Sequence, residues 1–221
     1  MERSGYDAVI FDMDGVIFDS ERVYRQCWFE LAEKYGLADI GTPYNASIGT
    51  TYARTREIML AAYGADFPYD AYAKEAMSVY HEKYDGGRLP LKAGVRELLR
   101  YLKSANRKIA LASSTERRIV EKQLAWAGLL TYFDSLVCGD MVKRSKPAPD
   151  IFLKACEMLD AEPARAYAIE DSYNGIRAAA AGGLRPIMVP DLLPATEEMY
   201  ALAETVLPEL DSVREYLFRI G

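Results

Sequence analysis

The sequence predicts an α/β fold, a doubly wound parallel sheet with an all-helical insert, and three observations lead there. Short apolar runs end abruptly in polar residues or glycine, helical patterns separate most of these runs, and one long early stretch carries helical patterns with no strand between them. A continuous apolar run closed by a turn signal is how a parallel strand buried on both faces reads. Ala8-Val9-Ile10-Phe11, stopped by Asp12-Met13-Asp14-Gly15, is the first such strand. From about residue 20 to residue 88 the rhythm breaks, and residues 21–35, 51–63 and 69–84 read as helices. Asp85-Gly86-Gly87-Arg88-Leu89-Pro90 then reads as a flexible return. Further strands are expected at 108–112, 135–138, 166–169 and 186–189. Helices fall between them at 115–126 closed by Gly128, at 149–159, and at 172–181 closed by Gly182-Gly183. Glycine suits those ends because it takes the left-handed conformation that closes a helix. Strands alternating with helices imply a parallel, Rossmann-like sheet. The implied domains are 1–17 with 88–221 as the α/β core and 18–87 as the helical insert.

Composition narrows the function classes. The 221 residues carry a formal charge of −6, which offers no electrostatic footprint for nucleic acid. Half the residues are hydrophobic and 27% are charged, a globular balance that excludes disordered and fibrous chains. No apolar run approaches the ~18 residues of a membrane span, and Met1-Glu2-Arg3-Ser4-Gly5-Tyr6-Asp7 meets an acid before any stretch that could serve as a leader. The expectation is a cytoplasmic protein with neither a membrane nor a nucleic-acid partner. Cys27, Cys138 and Cys156 show no CxxC spacing, so they suit buried thiols in a reducing compartment and provide no zinc framework. His81 is the sole histidine, and its polar helical setting reads as a solvated surface. Any Ser-His or Cys-His nucleophile would need it. Chemistry therefore falls to carboxylates, hydroxyls and lysines.

Side chains alternate faces along an extended segment, so Asp12 and Asp14 can point to one side of the sheet's carboxyl edge, where open α/β sheets bind ligands. Neighbouring carboxylates repel unless a cation lies between them, so the pair serves a metal or split acid and base roles. The plain alternative is a solvated turn, with both as exposed loop carboxylates whose removal costs little stability. An EF-hand is excluded, because Val16 and Ile17 stand where calcium needs an oxygen ligand and a glycine. Glu170-Asp171 ends the fourth strand and reaches the same edge if the sheet is parallel. Such hard oxygen donors suit magnesium, while Asp171 and Ser172 equally suit the N-cap of the next helix. Ser113 and Ser114 precede a helix whose free N–H groups attract anions, or else they cap it. Lys146, followed by Pro147 and Pro149, is either a surface lysine or an amine that reaches inward. The chain has no GxxxxGK[ST] and no GxGxxG, so nucleotide binding through a glycine loop has no support.

Taken in order, Asp12-Met13-Asp14-Gly15-Val16-Ile17-Phe18-Asp19-Ser20, Ser113, Ser145-Lys146-Pro147-Ala148-Pro149-Asp150 and Glu170-Asp171-Ser172-Tyr173-Asn174-Gly175-Ile176 resemble the four motifs of the haloacid dehalogenase-like superfamily. The chain looks most similar to the subfamily with a helical cap after the first motif, which holds phosphoglycolate phosphatases, sugar-phosphate phosphatases and β-phosphoglucomutases. The resemblance implies Asp12 as the nucleophile that becomes an aspartyl-phosphate and Asp14 as the acid and base. It implies Ser113 and Lys146 as holders of the phosphoryl oxygens. Magnesium would be bound by Asp12, the backbone carbonyl of Asp14, Asp171, and Glu170 directly or through water. Ser114 and Thr115 in the core, with Tyr24, Trp28, Thr50 and Arg54 in the cap, are the implied substrate contacts, and the partner is a small phosphorylated metabolite.

Departures from the family pattern bear on the choice of reaction. Ser145 replaces the usual glycine before the motif lysine. Tyr24 stands where the mutases carry a histidine, and Arg54 lies two positions later than their cap-loop arginine. Trp28 matches a mutase tryptophan and also reads as a core residue of the first cap helix. These features favour a phosphatase over a mutase. A non-catalytic phosphate-binding module would be expected to lack Asp12, Asp14, Lys146 or Asp171, and none is lost. The oligomeric state is not legible.

Overall fold

The computed structural model describes residues 5–221; Met1, Glu2, Arg3 and Ser4, part of the stretch read above for a leader, lie outside the described residues. In chain order the elements are β1 (Ala8–Phe11), α1 (Ser20–Tyr35), α2 (Gly41–Ser47), α3 (Tyr52–Tyr63), α4 (Tyr69–Tyr84), α5 (Val95–Ser104), β2 (Lys108–Ser113), α6 (Arg117–Trp126), β3 (Ser135–Cys138), α7 (Asp150–Leu159), β4 (Ala166–Glu170), α8 (Tyr173–Ala181), β5 (Arg185–Met188), α9 (Glu197–Leu202), β6 (Thr205–Val206) and α10 (Leu210–Ile220). They form two compact units, Met1–Asp19 with Pro90–Gly221, and Ser20–Leu89.

The unit boundaries fall two residues beyond those read from the sequence. Backbone pairing explains the difference. The Asp19 N–H donates to the Pro90 carbonyl (2.9 Å) and the Lys92 N–H to the Ile17 carbonyl (3.0 Å), while Phe18 bridges Leu91. The outgoing and returning chains are thus bonded to each other past the glycines. Lys92 adds ion pairs to Asp191 (2.7 Å) and Asp19 (3.5 Å).

In the first unit the strands form one parallel sheet in the order β3-β2-β1-β4-β5-β6. The chain builds outward from β1 on one side, then crosses to build the other, so β1 lies at the reversal of strand order, where such sheets bind ligands. Ala8, Ala110, Ala112, Ala166 and Ala168 give one sheet face small side chains around Ile10, and α7 and α8 pack on it with Phe152, Ala155, Cys156 and Ala178. Phe152 is fully buried, a burial worth about 1.5–3 kcal/mol. The short β6 and helices α2, α5, α9 and α10 were not anticipated. For α5 the signal was present, since Val95, Leu98, Leu99 and Leu102 recur at helical spacing and are all buried.

The second unit is helical, α1 to α4 around an aromatic centre. Trp28 meets the rings of Tyr44, Tyr69 and Tyr72 at centroid distances of 5.5, 6.2 and 5.1 Å. Tyr72 Oη donates to the Trp28 carbonyl (2.5 Å), tying α4 to α1. His81 is exposed beside Asp85, and the three cysteines are buried thiols, both as expected. Among the described residues no helix is long and apolar enough to cross a membrane.

Candidate active site

The site begins where β1 runs out. The Asp12 N–H still donates to the Ile169 carbonyl (3.0 Å), which holds Asp12 beside β4. The chain then turns sharply: Ile17 and Phe18 donate to the Met13 carbonyl, and Gly15 takes φ +78°, a conformation that favours glycine. The expectation of an exposed Asp12 is corrected here. Asp12 is 8% exposed, because the fold brings Lys146 over it, whereas Asp14 is half-buried.

Lys146 reaches inward from the loop before α7, and its side chain is 8% exposed. Its Nζ donates to Asp12 Oδ1 (2.5 Å), Glu170 Oε1 (2.6 Å) and the Ala112 carbonyl (3.0 Å), and so spans the ends of β1, β4 and β2. The Lys146-Pro147 peptide is cis. Glu170 is fully buried, and its other oxygen accepts from Ser172 Oγ (2.9 Å) and the Ser172 N–H (3.2 Å). Ser172 also caps α8 by accepting from the Gly175 N–H (3.0 Å).

Two glycines make this packing possible. A Cβ on Gly175 would lie 1.9 Å from the Glu170 carboxyl carbon, and one on Gly15 would lie 2.2 Å from Asp171 Oδ2. Both stand within the family-like stretches of the sequence, yet spacing alone gave no sign that they clear room for carboxylates. Ser113 is buried at the end of β2 and accepts from the Thr115 N–H (3.1 Å). It does not cap α6, and neither does the exposed Ser114, since Glu116 holds the N-cap position without a side-chain bond. Thr115 Oγ1 donates to Asp14 Oδ2 (3.2 Å).

The sequence pattern of the haloacid dehalogenase-like hydrolases matches residues 6–183. The chain belongs to this family. It is 36% identical over 183 residues to the phosphorylated carbohydrates phosphatase of Thermotoga maritima, an alignment that covers 82% of this chain and 83% of that one. It is 33% identical over 186 residues to the fructose-1-phosphate phosphatase of Escherichia coli, covering 83% and 96%. A solved structure of β-phosphoglucomutase from Clostridium difficile aligns with TM-score 0.69 at 26% identity, covering 97% of this chain and 96% of that one.

The electrostatics of this hydrolase centre on Asp12. Burial pushes its carboxyl up, to about 8; the Lys146 charge opposes that rise, while Glu170 and Asp14 add to it. For Lys146 burial works against the charged amine, but Asp12 and Glu170 outweigh it and hold the amine above its usual value. Asp12, Glu170 and Asp171 each offer an oxygen within 4.8 Å of the others, a donor set of hard oxygens that suits a divalent cation. The Asp14 carboxyl is not part of that group.

The cap residues named from the sequence lie in the second unit. Trp28 is buried in its aromatic centre, and Tyr24 packs edge-on against Trp28 and Tyr80. Thr50 Oγ1 donates to the Ser47 carbonyl (2.7 Å), and Arg54 is exposed and paired with Glu57 (2.8 Å).

Proposed function

We propose that this phosphatase is magnesium-dependent and hydrolyses a small phosphomonoester, a sugar phosphate or a phosphoglycolate-like ester, through a phosphorylated Asp12. The carrying observation is the group of Asp12, Glu170 and Asp171 with Lys146 among them at the reversal point of the sheet. The fit for magnesium rests on that donor set and on Gly15, whose missing side chain leaves room for Asp171. Asp12, Asp171 and Glu170 would hold the ion, with the Asp14 backbone carbonyl as the family resemblance implies. When bound, magnesium neutralises phosphoryl oxygens and favours the ionised Asp12.

The residues then divide the work. A carboxylate is a weak nucleophile toward a dianionic phosphate, so the charge on the phosphoryl oxygens must be offset where it accumulates. Lys146 supplies a positive charge there, and Ser113 adds a hydroxyl. Asp12 forms a bond to phosphorus as the bond to the leaving oxygen breaks, and Asp14 gives that oxygen its proton. Asp14 then takes a proton from water, which attacks the phosphorus, releases inorganic phosphate and restores Asp12. The names of the two relatives, one acting on phosphorylated carbohydrates and one on fructose 1-phosphate, support the sugar phosphate class. The buried thiols support a reducing, cytoplasmic setting.

The likeness to a β-phosphoglucomutase structure favours a second reading, in which Asp12 passes the phosphoryl group between positions of one sugar. A single screen separates the two. Phosphate release is measured with fructose 1-phosphate, glucose 6-phosphate and phosphoglycolate, alongside glucose 6-phosphate formation from β-glucose 1-phosphate with trace bisphosphate. Release that needs magnesium, ceases in chelator and vanishes in Asp12→Asn supports the hydrolase. Isomerisation much faster than release overturns it.

A further inference from the structure

We propose that Thr115 is a positioning residue that holds the Asp14 carboxyl for proton transfer to the leaving oxygen, an inference that rests on the phosphatase reading above. The Thr115 hydroxyl donates to Asp14 Oδ2 (3.2 Å) across the gap between the ends of β2 and β1. A hydrogen bond to one carboxyl oxygen limits rotation of the group and so fixes the plane of the carboxyl. Alignment of this kind is what efficient general acid catalysis requires.

Thr115 is itself held on both sides. Its N–H donates to Ser113 Oγ (3.1 Å), and its carbonyl accepts from the Gly139 N–H (3.1 Å) in the turn after β3. A Cβ on Gly139 would lie 2.1 Å from the Ser114 carbonyl oxygen, so the two turns approach this closely only with glycine at 139. The β-branch of threonine further restricts the direction of its hydroxyl. Three strand ends therefore combine to aim one hydroxyl at one carboxylate. The competing role, expected from the sequence, is direct contact between Thr115 and the substrate.

The two roles differ in their dependence on the leaving group. An alkoxide must be protonated as it leaves, whereas p-nitrophenolate leaves without a proton. The value of kcat/KM covers the steps through alcohol release. Thr115→Val keeps the shape and removes the hydroxyl. It is expected to lower kcat/KM by about ten-fold or more on the best sugar phosphate of the screen above, and by less than about two-fold on p-nitrophenyl phosphate. Thr115→Ser is expected to recover most of the loss, and Thr115→Val added to Asp14→Asn to cost nothing further.

Equal losses on both esters, losses that add to those of Asp14→Asn, or no loss at all in an active wild-type background would overturn this inference alone. A wild-type protein that releases phosphate from no ester would overturn the phosphatase reading and this inference with it.

Discussion

Replacing Lys146 by methionine and Asp12 by asparagine should move stability in opposite directions, because the two changes push the same buried charge group opposite ways. With both carboxylates ionised, Asp12, Glu170 and Lys146 carry a net charge of −1. Methionine at 146 makes it −2, and asparagine at 12 makes it zero. The carboxylate side chains are 12% and 0% exposed, so little water is available to compensate. Removing one partner of a buried ion pair costs about 3–5 kcal/mol. In a chain of this size each kcal/mol moves the melting temperature by about 2–4 °C, so Lys146→Met should melt roughly 10 °C below wild type. Methionine keeps the stem of the side chain, whose amine lies 5.1 Å from the Phe152 ring centre, so a packing void is not the cause of the loss. The assay is thermal unfolding followed by circular dichroism in chelator at about pH 9, above the value to which Asp12 is raised while Lys146 is present. Asp12→Asn should melt at or above wild type, and magnesium should narrow the Lys146→Met deficit. A Lys146→Met protein that melts with wild type in chelator, or an Asp12→Asn protein that falls as far, would refute the reasoning.

Two further outcomes follow from the same group. Gly175→Ala sets a methyl 1.9 Å from the Glu170 carboxyl carbon, so it should destabilise by about 1–3 kcal/mol and weaken magnesium binding; a denaturation curve and a magnesium titration both unchanged would show that the close approach is unimportant. The pH dependence of magnesium stabilisation follows from the raised Asp12 carboxyl. Its stability contribution in the metal-free protein is complete below the unfolded value of 3.8 and is lost as pH rises through about 8. Magnesium takes the place of the proton, so the gain in melting temperature on adding it should be larger at about pH 9 than at about pH 5, and equal gains would count against Asp12 as a ligand.

The five longer strands, the helical insert and the acids at the strand ends were legible in the sequence because each is a local property. A buried parallel strand is a continuous apolar run wherever it lies in the sheet, and a carboxylate at its end stays at the carboxyl edge whatever the strand order. The two-residue β6 is too short for any pattern to register, while α5 carried its spacing openly in Val95, Leu98, Leu99 and Leu102. Tertiary structure alone decided how deep each group lies. Asp12 looked like an exposed loop acid and is buried, because Lys146, far away in the chain, crosses over it from the loop before α7. Lys146 could equally have been a surface amine, and only the convergence of three strand ends turns it inward. Trp28 had two readings at one position, and burial against Tyr44, Tyr69 and Tyr72 places it in the centre of the second unit. Gly15, Gly139 and Gly175 are defined by atoms from other segments that stand where their side chains would be, and Thr115 by a carboxylate on another strand. Spacing along the chain sets the face and the edge on which a residue lies, but its burial, charge balance and partners depend on what the other loops bring to that edge.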